Sequence, residues 1–114
     1  MSKDSLEFAF QMLLCAQFLH SIEELSTGFH AKWYLFRMPF LVFLLWEILF
    51  QLFWISILFL PNIPNRDQLM NFFLWLMLAN GIQHLVWAGI KKKYVPGLGT
   101  APIFIAIFLW LHMR

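Results

Sequence analysis

Charged residues are scarce in this chain of 114 residues, of which only 12% are Asp, Glu, Lys or Arg and 61% are hydrophobic. A typical soluble domain is about 25% charged and about 45–50% apolar. The formal net charge is only +2 and the fourteen Phe residues form no basic-aromatic patch, so nucleic acid is not an expected partner. The composition indicates a membrane protein whose apolar surface largely contacts lipid.

Cysteine occurs once, as Cys15, so no disulfide can form within the chain. The apolar stretch after Lys3 has some features of a signal peptide, but no small-x-small cleavage pattern follows it. Leu14, which precedes Cys15, is too large for a typical lipoprotein cleavage site. We therefore expect the first apolar segment to be retained, with Cys15 as a buried structural thiol.

Prolines, glycines and clustered charges divide the chain into four apolar segments, at about 6–25, 38–60, 67–90 and 99–113. Pro39 suits a first helical turn, Pro61 ends the second segment, and Asp67 can cap the third. A span needs roughly 20 residues to cross a core of about 30 Å, so the first three segments qualify. The fourth would cover only about 21 Å, which leaves open a short tilted helix or a chain that continues beyond Arg114. The prediction is one all-α domain over residues 1–114, an integral membrane bundle of four transmembrane helices.

Lysine and arginine are distributed unevenly between the two sides of this predicted bundle. One side carries two basic loops, with Lys32, Arg37, Lys91, Lys92 and Lys93, and the other side carries Lys3, Arg66 and Arg114. Cytoplasmic loops are enriched in these residues. We expect a multi-pass protein of the inner (plasma) membrane, with both termini outside the cytoplasm.

Polar groups recur at one depth below the basic loops. Counted along the helix from that side, His20 lies about 8 Å deep, Glu47 about 13 Å and His84 about 10 Å. Ionisable groups inside a bilayer normally face the protein interior and serve a substrate, an ion or a proton. Three neighbouring helices are therefore expected to bring these groups into one layer.

Helical spacing adds further polar residues to the same faces. Side chains three or four residues apart share a face of a helix. The resulting stripes contain Gln17, His20, Glu23, Glu24 and Thr27 in the first segment, Glu47 and Gln51 in the second, and Asn80, His84 and Trp87 in the third. We expect these stripes to turn inward and surround a site.

Three sequence blocks carry a resemblance to a known family. They are His20-Ser-Ile-Glu23-Glu24, Asn80-Gly-Ile-Gln-His84 and Tyr94-Val-Pro-Gly-Leu-Gly-Thr100-Ala. In order and spacing they resemble the HXXEE domain family of small bacterial membrane proteins across nearly the whole chain. The resemblance implies a helical membrane protein with about four spans and no particular activity. The short fourth segment departs from the family's pattern.

The leading hypothesis is an enzyme in the membrane that acts on an apolar or lipid-like small molecule. Its predicted catalytic residues are His20, Glu23, Glu24, Glu47 and His84. Four of these, His20, Glu24, Glu47 and His84, could hold a divalent metal such as zinc or iron. The same groups could instead act without a metal, as general acid and base in isomerisation, hydrolysis or cyclisation. The residues predicted to bind substrate are Gln17, Gln51, Asn80, Trp87, Gly97 and Thr100.

Alternatives remain open at this stage. Glutamate and histidine also form proton or ion relays, so a small transporter built as an oligomer is the second hypothesis. A buried His20–Glu24 pair that only holds helices together is the third. The loop with Gly97 and Thr100 fits an anionic headgroup site at a helix N-terminus or a tight re-entry turn. A homodimer could complete the small interior.

Overall fold

A computed structural model describes residues 3–113, and every regular element within them is a helix. Met1, Ser2, Arg114 and the side chain of Lys3 lie outside the described part, so the topology charges predicted at Lys3 and Arg114 are not placed. Five helices follow one another: α1 (Lys3–Thr27), α2 (Phe29–Lys32), α3 (Phe40–Phe59), α4 (Arg66–Lys91) and α5 (Ala101–His112). Each predicted segment coincides with one of the helices α1, α3, α4 and α5 to within three residues at either end, and the short α2 was not predicted.

Glycine and proline residues explain where several helices begin or end. Gly28 has φ 81° between α1 and α2, a left-handed conformation that glycine adopts without steric cost. Pro39 stands immediately before α3, and α5 has a proline in its first turn, where the missing N–H group costs nothing. The N-cap of α4 is Asn65 with no side-chain cap hydrogen bond, so the cap predicted at Asp67 is wrong.

Arg66 links three helices at the end of the bundle opposite the basic loops. Its Nε atom donates to the Ile57 carbonyl at 2.9 Å and its Nη2 atom donates to the Leu58 carbonyl at 3.2 Å. These carbonyls belong to the last turn of α3, where no helical N–H group remains to bond them. Nη2 also lies 3.4 Å from Glu7 Oε1. The side chain predicted as an outer-side topology charge is thus a buried link between α1, α3 and α4.

The helices alternate in direction. Glu7 lies near Arg66 and His20 near His84, so α1 and α4 run the same way. Phe8 packs on Trp110 while His20 contacts Thr100, so α5 runs opposite to α1. α4 packs on both α1 and α5, and α3 packs on α1.

Two apolar clusters fill the interior on either side of the polar layer. The larger one occupies the half of the bundle away from the basic loops and contains Phe10, Leu13, Phe73, Leu74 and Phe104, all fully buried. The smaller one lies under the basic loops and contains Phe29, Phe43, Trp87 and Val95. The layer of polar residues lies between them, so its surroundings on both sides are apolar.

Two described helices, α3 and α4, are long and apolar enough to cross a membrane. α5 is shorter, with 12 residues, and α1 is not among them. α1 is long enough but not apolar enough, because two glutamines and the polar stripe that ends at Glu24 interrupt its apolar sequence. Cys15 is exposed on α1, which corrects the prediction of a buried thiol.

Candidate functional site

Two histidines and one glutamate converge at the centre of the polar layer. His20 and Glu24 lie one turn apart on α1, and His84 reaches them from α4. Both imidazoles are fully buried, and Glu24 is 4% exposed. Among the described residues these three form the one group of His, Cys, Asp or Glu side chains close enough to hold a metal ion.

The facing atoms of this triad form a nearly equilateral triangle. His20 Nε2 lies 3.0 Å from His84 Nε2 and 3.4 Å from Glu24 Oε2. The third side, from His84 Nε2 to Glu24 Oε2, is 3.2 Å. Zinc–ligand bonds of about 2.0–2.2 Å place the donors of a tetrahedral ion about 3.3 Å apart. The triangle therefore has the dimensions of one face of such a coordination sphere.

A hydrogen bond to Thr100 orients His20. Thr100 Oγ1 lies 2.6 Å from His20 Nδ1 and donates its own proton to Glu23 Oε1 at 2.7 Å. A hydroxyl has one proton, so Thr100 must accept the proton of His20 Nδ1. A neutral His20 then has an unprotonated Nε2, and its lone pair faces the triad.

Glu23 points away from the triad and holds the loop before α5. Its Oε2 atom accepts the Gly99 N–H at 2.9 Å and the phenol O–H of Tyr94, while Oε1 accepts the Thr100 N–H at 2.9 Å. A carboxylate at a helix N-terminus is favoured by the helix dipole. The N–H groups that could have bound an anionic headgroup therefore donate to Glu23 instead. Of the two predicted alternatives, the loop with Gly97 and Thr100 forms the tight turn.

Tyr94 is the exposed end of this hydrogen-bonded chain. Desolvation by burial raises the pKa of the Tyr94 phenol, and the hydrogen bond to the Glu23 carboxylate raises it further. The phenol therefore remains a donor at neutral pH.

Gly97 covers the histidine pair. It has φ +92°, and a Cβ built there would lie 2.8 Å from both His20 Cε1 and His84 Nδ1. Real Cβ atoms essentially never make contacts that close, so a side chain at this position would force the imidazoles or the loop to shift. Gly97, predicted from the sequence to bind substrate, therefore packs against the two imidazoles.

Glu47 lies beside the triad and outside it. Its Oε2 atom accepts the Ser21 hydroxyl at 2.5 Å, and the same hydroxyl oxygen accepts Gln17 Nε2 at 3.2 Å. Ser21 holds this carboxylate, and Glu47 is not one of the converging metal donors. The fourth metal ligand predicted from the sequence is not brought into the group.

An apolar cavity of about 670 Å³ opens beside these carboxylates. Both Glu24 and Glu47 line it, together with Gln17, Asn80 and Gln83. The rest of the wall is apolar and comes mainly from α3, α4 and the 33–38 loop, with Trp33, Phe36, Met38, Val42, Phe43, Trp46, Phe50, Leu76 and Met77. α3 and α4 are joined further along, where Trp54 packs on Phe73.

The remaining predicted residues occupy varied positions. Asn80 lines the cavity, where its Oδ1 accepts Gln83 Nε2 at 3.2 Å. Trp87 is buried against His84 and Phe29, and it lines a different cavity under the basic loops. Gln51 does not line the apolar cavity, and its buried Oε1 has no hydrogen-bond partner in the described structure.

Sequence reasoning missed Ser21 and Tyr94. Ser21 lies inside the HXXEE motif, four residues after Gln17, and this spacing was the available signal for a polar contact at that point. Tyr94 opens the third motif block, but the block did not indicate its partner, because the bond to Glu23 joins positions 71 residues apart.

Comparison with known proteins agrees with the three motif blocks that frame this site. A family described as "Protein of unknown function with HXXEE motif" matches residues 11–111. No curated protein and no solved structure matches the chain. The matched range contains His20, Glu23, Glu24 and His84 and covers most of the sequence. The chain belongs to the HXXEE family.

Proposed function

We propose that this protein is a membrane-embedded enzyme that binds one divalent metal ion through His20, Glu24 and His84 and acts on a lipophilic molecule. The observation that carries the proposal is the triangle of donor atoms, with sides of 3.0, 3.2 and 3.4 Å. One of its corners, Glu24, also lines the apolar cavity. A metal held there would face whatever molecule occupies that cavity.

The surface of the bundle supports a membrane location. Large apolar side chains are exposed along α3, among them Leu41, Trp46, Leu49, Leu52 and Phe59. A monomeric soluble protein rarely exposes a continuous apolar surface of this kind. We propose a four-helix bundle, α1 and α3 to α5, in the inner membrane, with the basic loops on the cytoplasmic side.

The donor set suits catalytic metal chemistry. Two histidines and one carboxylate leave a coordination position free for water or substrate at zinc, and the same set serves ferrous iron. A bound ion of this kind would supply Lewis acidity. Within the chain, His20, Glu24 and His84 would hold the ion, and Glu47, on the same cavity wall as Glu24, can accept or return a proton. These roles fit hydrolysis or isomerisation of a lipid-like substrate.

Transport of a proton or ion is the second candidate. The polar layer favours it, because His20, Glu24, Glu47 and His84 form a near-continuous set of groups that can exchange protons. However, the larger apolar cluster packs Phe10, Leu13 and Phe73 across the half of the bundle away from the basic loops. A proton path would need polar groups or water there, so this packing favours the enzyme.

Elemental analysis of protein purified without chelator tests the proposal. We expect about one zinc or iron per chain, lost in His20→Ala and in His84→Ala and retained in the control His112→Ala, because His112 bonds to Phe108 on α5. Absence of metal together with proton flux in liposomes that Glu47→Gln abolishes would favour transport. If neither bound metal nor proton flux is found and Glu24→Gln lowers only thermal stability, the buried His20–Glu24 pair serves only to hold helices together.

A further inference from the structure

A second cavity, of about 810 Å³, lies under the basic loops and shares no described lining residue with the apolar cavity. We propose that this basic cavity binds an anionic phosphate group, whether a membrane lipid carries the group or it is free in solution. The site uses none of the metal-binding residues, so it goes beyond the proposed function.

Four cationic side chains from three parts of the chain line the basic cavity. Lys32 ends α2, Arg37 lies in the loop before α3, and Lys91 and Lys93 lie at the end of α4 and just after it. The described wall contains no aspartate or glutamate, since its other members are Ser26, Thr27, Gly28, Ala31, Trp87, Tyr94, Val95 and Pro96. A concave wall with charge of one sign focuses the electrostatic field and attracts the opposite charge.

These four cations are not neutralised by other side chains. Among the described residues, Arg37, Lys91 and Lys93 form no ion pair. Lys32 Nζ donates to a neutral acceptor, the Thr27 carbonyl, at 3.1 Å. A bound anion would therefore meet cations whose charge is not already compensated within the described structure.

The arrangement is more specific than an excess of positive charge on one side. Lys92 lies between Lys91 and Lys93 in sequence but does not line the cavity. The chain leaves α4 at Lys92, which has a left-handed φ of 55°, and Lys93 then lines the same cavity as Lys91. A topology signal requires only that the charges lie on one side of the membrane, and it does not require that they share a cavity.

Phosphate is the anion that suits this wall. Its oxygens can be shared among several cations, and the guanidinium of an arginine such as Arg37 can pair with two of them at once. The cavity lies where α4, a helix long and apolar enough to cross a membrane, ends. Basic clusters next to a membrane helix attract the phosphates of anionic lipids.

Calorimetric titration of the purified protein in a neutral detergent tests the proposal. The probes are two soluble lipids with the same tails, dihexanoyl phosphatidylglycerol and dihexanoyl phosphatidylcholine, and titrations into empty micelles are subtracted. We expect the anionic lipid to bind about tenfold or more tightly, because the choline cation of the other lipid would meet four like charges. Equal affinities would overturn the proposal.

Competition by small anions distinguishes the two sources of phosphate. If sodium phosphate displaces the anionic lipid, the site recognises the phosphate group itself. Tight lipid binding that phosphate does not displace would identify the bilayer as the source, and either result supports the site. Sodium acetate at the same ionic strength should not displace the lipid, and displacement by acetate as strong as that by phosphate would contradict a phosphate site.

Variants separate a site from general charge attraction. Arg37→Gln, Lys91→Gln and Lys93→Gln should each weaken binding of the anionic lipid about fivefold. Lys92→Gln is the matched control, because it removes the same charge next to the same residues but outside the cavity, and it should change the affinity less than about twofold. Thermal unfolding checks that each variant is folded. A loss in Lys92→Gln as large as in Lys91→Gln and Lys93→Gln would overturn the proposal.

Metal removal keeps this inference apart from the proposed function, because a phosphate could also bind a divalent ion at the triad. The titration is repeated after chelation and removal of the chelator by gel filtration. A preference for the anionic lipid that persists supports the basic cavity, even if elemental analysis finds no metal in the untreated protein. A preference that disappears with the metal would assign the phosphate to the triad and overturn the proposal.

Discussion

His20 Nδ1 and Thr100 Oγ1 lie 2.6 Å apart, although 80 residues separate them in sequence. Thr100 is held in turn by the Glu23 carboxylate, so a carboxylate, a hydroxyl and an imidazole form a line that ends at the triad. Metal-binding histidines commonly donate their second N–H to such a partner, which fixes the tautomer and the ring orientation. Glu23 and Thr100 are therefore positioning residues for His20.

Substitution of Thr100 tests this line of hydrogen bonds. Thr100→Val keeps the shape but removes the hydroxyl, and we expect zinc affinity to fall about 10–100-fold, as for other partners of metal-binding histidines. Thr100→Ser restores the hydroxyl and should restore the affinity. Imidazole nitrogen NMR of the metal-free protein should show His20 protonated at Nδ1 in the wild type and in Thr100→Ser. The same His20 tautomer in Thr100→Val would refute the positioning role.

Gly97→Ala should damage the site through backbone and packing together. A left-handed φ and a Cβ pressed against both imidazoles should lower the free energy of unfolding by about 1–3 kcal/mol. Gly89→Ala is the matched control, because a Cβ there meets nothing within 4 Å, and in the last turn of α4 alanine should stabilise by no more than about 1 kcal/mol. Thermal unfolding in detergent measures both. Equal effects of the two substitutions would be inconsistent with the close contact at Gly97.

Tyr94 should titrate above the ordinary tyrosine pKa of about 10 because burial and the Glu23 carboxylate both disfavour its anion. The folded protein then holds the phenol proton more tightly than the unfolded chain does. This contribution to stability is complete below about pH 10 and is lost as pH rises through the higher folded pKa. The tyrosinate absorbance of wild type minus Tyr94→Phe reports the midpoint. Glu23→Gln should move it down, and an unmoved midpoint would argue against the bond.

Arg66 should contribute more to stability than other basic residues. Arg66→Met leaves two carbonyls at the end of α3 without their donor and should cost about 1–3 kcal/mol of unfolding free energy. Arg37→Met is the control, since Arg37 is exposed and its loss should change stability by less than about 0.5 kcal/mol. A denaturant titration of both variants measures the difference. A cost for Arg66→Met no larger than for the control would mean that these bonds contribute little.

Much of the helical framework followed from hydropathy and proline placement alone. α3 lies at Phe40–Phe59 where residues 38–60 were predicted, and α4 lies at Arg66–Lys91 where 67–90 were predicted. Depth counting also brought His20 and His84 to one level, which the contact of their Nε2 atoms confirms. Local periodicity suffices for these features because helical rise is constant.

The different partners of Glu23 and Glu24 in the HXXEE motif could not be predicted from periodicity and depth. Glu23 and Glu24 both lie within one turn of His20, and adjacent helical positions differ by about 100° in direction. Glu24 faces α4 and joins the triad, whereas Glu23 faces the α5 loop and caps it. Which glutamate meets which neighbour depends on how α4 and α5 pack around α1. That is tertiary information, absent from the periodicity of one helix.

X-ray absorption spectroscopy of the zinc-loaded protein tests the central claim most directly. We predict one zinc per chain with two imidazole ligands and one carboxylate oxygen at about 2.0–2.1 Å, and a single imidazole in His84→Ala. A spectrum with no protein-bound zinc, or one whose imidazole count is unchanged in His84→Ala and His20→Ala, would contradict the proposed metal centre.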